Sequence, residues 1–167
     1  EVVKLLFEKG VGPSTTKNYG WTPRNGAVYE GHTEVVKLLL DKGGDAAISD
    51  IDGWTPTHRE SDRGHIEAVK LLLENAADAN LADDAGLTPM HGASTRGHTE
   101  VVKLILQTPD ANVNSPDKHS RSTLFKTSRY GHYTVVQLLL DDGWTSSAST
   151  DWHGSTPLFT AVRLTVA

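Results

Sequence analysis

The chain has 167 residues, of which 37% are hydrophobic and 22% are charged, and its formal net charge is −5. This acidic balance argues against binding to duplex nucleic acid, because such binding depends on basic side chains that neutralise phosphates. No apolar run approaches the ~20 residues needed to cross a bilayer, and no signal peptide is visible. The absence of Cys excludes a disulfide framework and thiolate chemistry. We therefore expect an intracellular, cytoplasmic protein with neither a nucleic-acid nor a membrane partner. The alternative is a secreted protein that lacks cysteine.

One ten-residue phrase recurs along the chain as GHTEVVKLLL, GHIEAVKLLL, GHTEVVKLIL and GHYTVVQLLL. Its copies begin at Gly31, Gly64, Gly97 and Gly131, which are 33, 33 and 34 residues apart. Self-similarity at a fixed period of about 20–50 residues is typical of stacked repeat architectures. The chain also begins inside this phrase, with EVVKLLFEKG, and ends before another copy would start. We therefore expect it to be a piece of a longer array.

A first, short helix is predicted in front of each Gly-His pair. Its start is marked by GWTP at Gly20 and Gly53, GLTP at Gly86, SRST at Ser120 and GSTP at Gly154. In this motif the Thr hydroxyl can cap a free backbone N–H, and Pro fits the first helical position. The helix is predicted to end at the Gly of the Gly-His pair.

A second helix is predicted within each repeated phrase, over roughly Thr33–Asp41 in the first copy, because its Val and Leu residues form a broad apolar face. The loop that follows carries the pattern Asp-x-x-Gly, beginning at Asp50, Asp83 and Asp151. An Asp side chain can accept hydrogen bonds from its own turn, and Gly can adopt positive φ there.

A turn followed by two antiparallel helices every 33 residues resembles the ankyrin repeat, and TPMHGA at residues 88–93 is close to the family's Thr-Pro-Leu-His-x-Ala. The resemblance covers nearly the whole chain and implies an all-α solenoid of helix-turn-helix units with β-turn finger loops. The near-identical second helices are similar to the long ankyrin arrays of filamentous fungi, and an engineered ankyrin scaffold is the alternative. The expected organisation is a single domain, 1–167, with partial repeats at 1–19 and 154–167 and full repeats at 20–52, 53–85, 86–119 and 120–153.

Two charged residues depart from the family pattern. Arg24 stands where the family has a buried Leu, and Glu60 stands where it has a small buried Ala. An unpaired charge in a core is costly, so we expect Glu60 to pair with Arg24 or Arg59. The alternative is that Glu60 faces solvent.

The eight histidines do not form a pattern that predicts a metal site. Four of them recur once per repeat, one stacking distance apart, which does not suit tetrahedral ligation at ~2 Å (His32, His65, His98 and His132). His58 and His91 occupy the family's Thr-Pro-x-His position, which implies a hydrogen bond to backbone in the adjoining loop. No catalytic or phosphate-binding motif is present. We expect no metal, no cofactor and no enzymatic activity.

A binding surface is expected on the loop tips and on the concave face of the first helices, because equivalent positions of a solenoid align into stripes. Arg63 and Arg96 share one column, and Arg59 and Lys126 share another, which suits an acidic peptide or protein. The alternatives are that Trp21 and Trp54 pack on the next loop and that the basic side chains are simply solvated. The candidate partner-binding residues are Tyr19, Trp21, Tyr29, Ile51, Trp54, Arg59, Arg63, Leu87, Arg96, Arg121, Lys126, Arg129, Tyr130 and Trp152.

The sequence thus predicts a monomeric, non-catalytic scaffold for protein–protein interaction. The alternative is an engineered or structural array with no natural ligand.

Overall fold

A computed structural model describes residues 2–10, 12, 26–27, 32–43, 45, 47–141, 143, 145 and 148–165. Within these ranges the regular structure is entirely helical, which confirms the predicted all-α fold. The helices are α1 (Val2–Glu8), α2 (Thr33–Asp41), α3 (Pro56–Arg63), α4 (Ile66–Glu74), α5 (Pro89–Arg96), α6 (Thr99–Leu106), α7 (Thr123–Tyr130), α8 (Tyr133–Asp141) and α9 (Pro157–Thr165).

The helices form two parallel layers. The first helices make one layer, in which α3 packs on α5, α5 on α7 and α7 on α9. The second helices make the other layer, in which α2 contacts α4, α4 contacts α6 and α6 contacts α8. The first helices α3, α5 and α7 also pack on the second helices that follow them, α4, α6 and α8. Most stabilising contacts are therefore made between nearest neighbours, as in other solenoids.

The first helices begin at the caps that the sequence predicts. Thr55 precedes α3, and its Oγ1 accepts a hydrogen bond from the backbone N–H of His58. In return, the backbone N–H of Thr55 donates to His58 Nδ1 at 3.2 Å. Thr88 donates in the same way to His91 Nδ1 at 3.1 Å at the start of α5. These bonds satisfy donors that a helix start otherwise leaves free.

The first helices end at glycines in the left-handed conformation, as predicted. Gly64, Gly97 and Gly131 have φ values of 75°, 77° and 73°. Side chains other than Gly are disfavoured at such angles, so each glycine ends its helix and turns the chain towards the next one. Gly31 lies outside the described residues.

The core lies between the two layers and follows the apolar face of the second helices. Each buried Val, Leu or Ile contributes about 1.5–3 kcal/mol relative to an exposed position. The contributors from α2, α4, α6 and α8 are Val36, Leu39, Val69, Leu72, Val101, Val102, Ile105, Val135 and Leu139.

The loops between helix pairs form a row of fingers built on the predicted Asp turn. In the finger before α3, Asp50 Oδ1 accepts the backbone N–H groups of Asp52 at 3.0 Å and Trp54 at 2.9 Å. Asp83, Asp117 and Asp151 make the same pair of bonds in later fingers. The Gly of the turn has positive φ where it is present, and Ser120 takes that position with φ 60° in the finger that lacks it.

Glu60 is fully buried, so the solvent-facing alternative is wrong. Its partner is His65, whose Nδ1 lies 2.5 Å from Glu60 Oε2. The expected pairing with Arg59 is also wrong, because the Arg59 guanidinium pairs with Asp50 instead. Arg24, the other expected partner, lies outside the described residues. Burial raises the pKa of the Glu60 carboxyl, and the hydrogen bond with His65 opposes that rise.

Candidate binding surface

The fingers expose two large apolar side chains that the sequence singled out. Ile51 is 60% exposed, and Trp152 is 67% exposed. The Trp152 ring meets His119 of the preceding finger edge to face, with centroids 5.0 Å apart. Leu87 is half-buried in the finger between them. Three further candidates, Tyr19, Trp21 and Tyr29, lie outside the described residues.

The fingers are hydrogen-bonded to one another through their backbones. The N–H of Asp84 donates to the carbonyl of Asp52 at 3.0 Å, and the N–H of Lys118 donates to that of Ala85 at 3.0 Å. Trp152 N–H donates to the carbonyl of His119 at 3.3 Å. The finger tips are therefore fixed relative to one another by the stacking itself.

Trp54 and Arg59 pack within their own finger and helix. The Arg59 guanidinium lies over the Trp54 ring, 5.3 Å from its centroid, and pairs with the buried carboxylate of Asp50. The Trp54 ring also lies 6.1 Å from the ring of His58. Trp54 is consequently half-buried, with part of its surface left for contact with another molecule.

Arg121 and Lys126 share one buried carboxylate. Arg121 Nε lies 2.8 Å and Lys126 Nζ 3.2 Å from Asp117 Oδ2. Burial alone would raise the pKa of Asp117, but hydrogen bonds from Arg121 and His119 and the charge of Lys126 lower it to about 2. Burial also lowers the pKa of Lys126, and Asp117 opposes that effect. Asp117 is therefore ionised at neutral pH.

The other basic column lies along the first helices. Arg96 Nε donates to Asp62 Oδ1 at 3.2 Å, an ion pair that joins α5 to α3. Arg96 is nevertheless the more open partner, because its side chain is 61% exposed. Arg63 is half-buried and its charge lowers the pKa of Glu60. Arg129 and Tyr130 are exposed at the end of α7.

Sequence reasoning missed the carboxylates that partner the basic side chains. A signal for them was present, since Asp50 precedes Arg59 and Asp117 precedes Lys126 by the same nine residues. At this offset, a basic side chain of the first helix pairs with the Asp of the finger that precedes the helix. Arg59, Arg121 and Lys126 thus support the fingers.

The histidines serve as structural links between neighbouring helix pairs. His98 Nε2 donates to the carbonyl of Asp62 at 3.0 Å, and His132 Nε2 to that of Thr95 at 2.8 Å. His58 Nε2 lies 2.9 Å from the carbonyl of Leu87, as expected. The corresponding Nε2 of His91 makes no hydrogen bond of normal geometry in the described residues, but a weaker interaction with the Arg121 backbone opposes the effect of burial on the pKa of His91. Burial lowers the pKa of His91 to about 4.

Two features that would indicate other functions are absent from the part of the chain that the structure describes. No group of three or more His, Asp or Glu side chains there is placed to hold a metal ion. No helix in the same residues is long and apolar enough to cross a membrane.

A stack of helix pairs with bonded fingers defines a repeat solenoid that presents a surface rather than a closed site. A family model described as ankyrin repeats (3 copies) matches residues 1–83, 27–117, 62–145 and 91–165. The chain therefore belongs to the ankyrin repeat family. Ankyrin repeats generally mediate protein–protein interaction, and they are typically non-catalytic modules. A comparison with curated proteins gave no match.

Proposed function

We propose that this chain is a non-catalytic scaffold that binds a protein partner along its finger tips and the concave face of its first helices. The observation that carries the proposal is the exposure of Ile51 and Trp152 on fingers that are bonded to one another. Trp is among the residue types that supply most of the binding energy in protein interfaces, and an exposed Ile adds apolar area that binding would bury. Because the fingers are fixed in place, little conformational entropy is lost when they bind.

The proposed partner includes an acidic segment along the column of Arg63 and Arg96. Arg96 is largely exposed, and its ion pair with Asp62 leaves it at the surface. An exposed arginine fork recognises carboxylates with good geometry. Arg129 and Lys118, which are also exposed, extend the positive surface at the α7 end.

The proposal is tested by reversing charge on one face at a time. A displayed peptide library is selected against the immobilised chain, against Arg63→Glu with Arg96→Glu, and against Lys70→Glu with Lys103→Glu. The last pair is a matched control, because both lysines are exposed on the second helices. We expect the first-helix variant to lose the selected acidic peptides and the second-helix variant to keep them.

Circular dichroism of both variants checks that the helices are intact. Retention of the same peptides by the first-helix variant would overturn the proposed surface. Failure of the unmodified chain to enrich any sequence would favour the array without a natural ligand.

A further inference from the structure

Two of the fingers receive a cation from the first helix that follows them. Asp50 pairs with Arg59, and Asp117 pairs with Lys126. The finger between them carries Asp83, and the residue at the same offset of nine is Gly92. The middle helix α5 therefore supplies no cation where α3 and α7 each supply one.

One carboxylate oxygen of Asp83 lacks an ion-pair partner in the part of the chain that the structure describes. The residue is only 7% exposed, and its Oδ1 accepts the backbone N–H groups of Ala85 and Leu87, both at 2.8 Å. In the described residues its Oδ2 has neither a hydrogen bond nor an ion pair, whereas Oδ2 is the atom that binds the cation in Asp50 and Asp117. A nearly buried carboxylate without a cation is unfavourable.

A cavity of about 90 Å³ lies where the missing side chain would be. Its volume is several times the ~10–15 Å³ that one water molecule requires. The apolar part of the cavity is lined by Trp54 and Leu87. The remaining lining includes Gly92 and three charged residues, Asp62, Asp83 and Lys126. A Cβ atom added to Gly92 would lie 3.4 Å from Asp62 Cα, which is an ordinary contact. A side chain therefore has room to enter.

The other charged groups at the cavity already have partners. Asp62 binds Arg96, and Lys126 Nζ binds Asp117 at 3.2 Å. The charge of Lys126 also acts on Asp83, but the two groups form no ion pair. Burial lowers the pKa of His58 and His91, so both are neutral at pH 7 and do not compensate a carboxylate. Asp83 is the lining carboxylate without a cation of its own among the described residues.

We propose that this cavity, the Asp83 pocket, receives a lysine or arginine side chain of the protein partner. Its cation would bind Asp83 Oδ2, in the place that Arg59 and Lys126 fill in the adjacent helix pairs. Its aliphatic stem would pack against Trp54 and Leu87, since such stems bury well on apolar surface. This inference rests on the proposed function, and it adds a basic anchor to the acidic segment proposed for Arg63 and Arg96.

A binding experiment tests the pocket with defined probes. The ¹⁵N-labelled chain is titrated with the peptide Ac-Gly-Arg-Gly-NH2 and with the same peptide containing citrulline, which is neutral and of equal shape. We expect saturable shifts at Asp83, Gly92 and the Trp54 indole with the arginine peptide. The citrulline peptide should bind about tenfold more weakly or worse, because a hydrogen bond to a charged group is lost.

Asp83→Asn removes the charge and keeps the Oδ1 acceptor of the turn. It should therefore lower the affinity for the arginine peptide to the affinity for the citrulline peptide. Asp84→Asn, an exposed neighbour in the same finger, is the matched control and should change nothing. Equal affinity for the two peptides, or unchanged binding to Asp83→Asn, would overturn the pocket.

A second experiment does not depend on an external ligand. Gly92→Lys places an ammonium group where Lys126 stands in the next pair, so it should raise the melting midpoint above that of Gly92→Gln and should block the arginine peptide. An equal midpoint for the two variants together with unblocked binding would contradict the inference. If these tests fail while charge reversal at Arg63 and Arg96 still abolishes binding, the pocket is wrong and the proposed function stands.

Discussion

Glu60 stands at the position of Ala93 and Thr127 in the next two helix pairs, and all three residues are fully buried. Glu60 keeps one hydrogen bond, to His65, while its Oε1 has no partner in the described residues. A buried acceptor without a donor costs about 1–3 kcal/mol. His65 itself is half-buried, so it would still reach water if the carboxylate were removed.

We therefore predict that Glu60→Ala increases the free energy of unfolding at pH 7, by about 1 kcal/mol after allowing for the lost packing. The native pKa of Glu60 is raised above its ordinary 4.5, so the stability that this group contributes is present below that pH and is lost as pH rises. The gain from the substitution should accordingly be larger at pH 7 than at pH 4. Urea unfolding at both values measures it.

Glu67→Ala is the matched control for this prediction, because Glu67 is exposed on the adjacent helix α4. It should change stability little at either pH. A lower stability of Glu60→Ala at pH 7 would show that the pair with His65 is a net stabilising interaction.

At this scale the sequence identified which residues were unusual but not what they contact. Glu60 was recognisable because the equivalent positions of the other repeats carry small residues. Its partner was not, because His65 reaches it only through the left-handed turn at Gly64, and local geometry decides between His65 and Arg59. The Asp83 pocket was not predicted either, because it arises where Gly92 replaces the basic residue that the adjacent helix pairs carry at the same position.

At the scale of single elements, the helices and fingers were predictable because their signals are local. A capping Thr, a Pro at the first position and a terminal Gly define a helix without reference to the rest of the chain. The observed α2 spans Thr33–Asp41, as predicted. The start of α5 shows the limit of this approach, because its His91 makes the cap to Thr88 but only a weak interaction with the next finger, at the Arg121 backbone.

The start of α5 also sets a pH dependence. The pKa of His91 falls from 6.5 to about 4, mainly because of burial and also because of the charge of Lys126, while Asp117, the Arg121 backbone and Asp83 oppose the shift. The unfolded chain therefore takes up a proton at pH values where the native chain does not. We predict that the free energy of unfolding falls as pH drops from 6.5 to 4, with about 3 kcal/mol from His91.

His91→Phe tests that assignment, because Phe125 occupies the same position at the start of α7. The variant should flatten the loss of stability between pH 6.5 and 4, measured by chemical denaturation at each pH. His153→Phe, at an exposed histidine, should leave the slope unchanged. The ionisation of Asp117 affects only the range below about pH 4, because its native pKa is about 2. An unaltered slope in His91→Phe would assign the effect to other groups.

At the scale of the whole molecule, the array is held together by links that repeat from pair to pair. The His column gave no sign of this role in the sequence beyond its period, which argues against a shared metal ion but does not distinguish a cap from a linker. In the structure, His98 and His132 each donate to a carbonyl of the preceding first helix and lie against a glycine of the preceding turn. Stability of a solenoid depends on such nearest-neighbour terms as much as on the individual units.

Substitutions at two glycines distinguish the contribution of the His132 hydrogen bond to stability from the cost of placing Ala in a left-handed backbone conformation. Gly97 and Gly131 have nearly the same positive φ, 77° and 73°. A Cβ atom on Gly97 would lie 2.5 Å from His132 Nδ1, whereas at Gly131 it would meet nothing within 4 Å in the described residues. An Ala at either position costs about 1–2 kcal/mol for its left-handed backbone. Only the Ala at position 97 must also displace the imidazole from the Thr95 carbonyl.

We predict that Gly97→Ala lowers the free energy of unfolding by about 1–2 kcal/mol more than Gly131→Ala, because a partly buried hydrogen bond and a packed ring are lost with it. The unfolding transition of Gly97→Ala should also broaden, since the weakened contact lies between two neighbouring helix pairs. In the background of His132→Ala, where no ring is present to clash, the two glycine substitutions should cost the same. Equal costs in the unmodified background would mean that the histidine column adjusts freely and that helix packing alone couples the pairs.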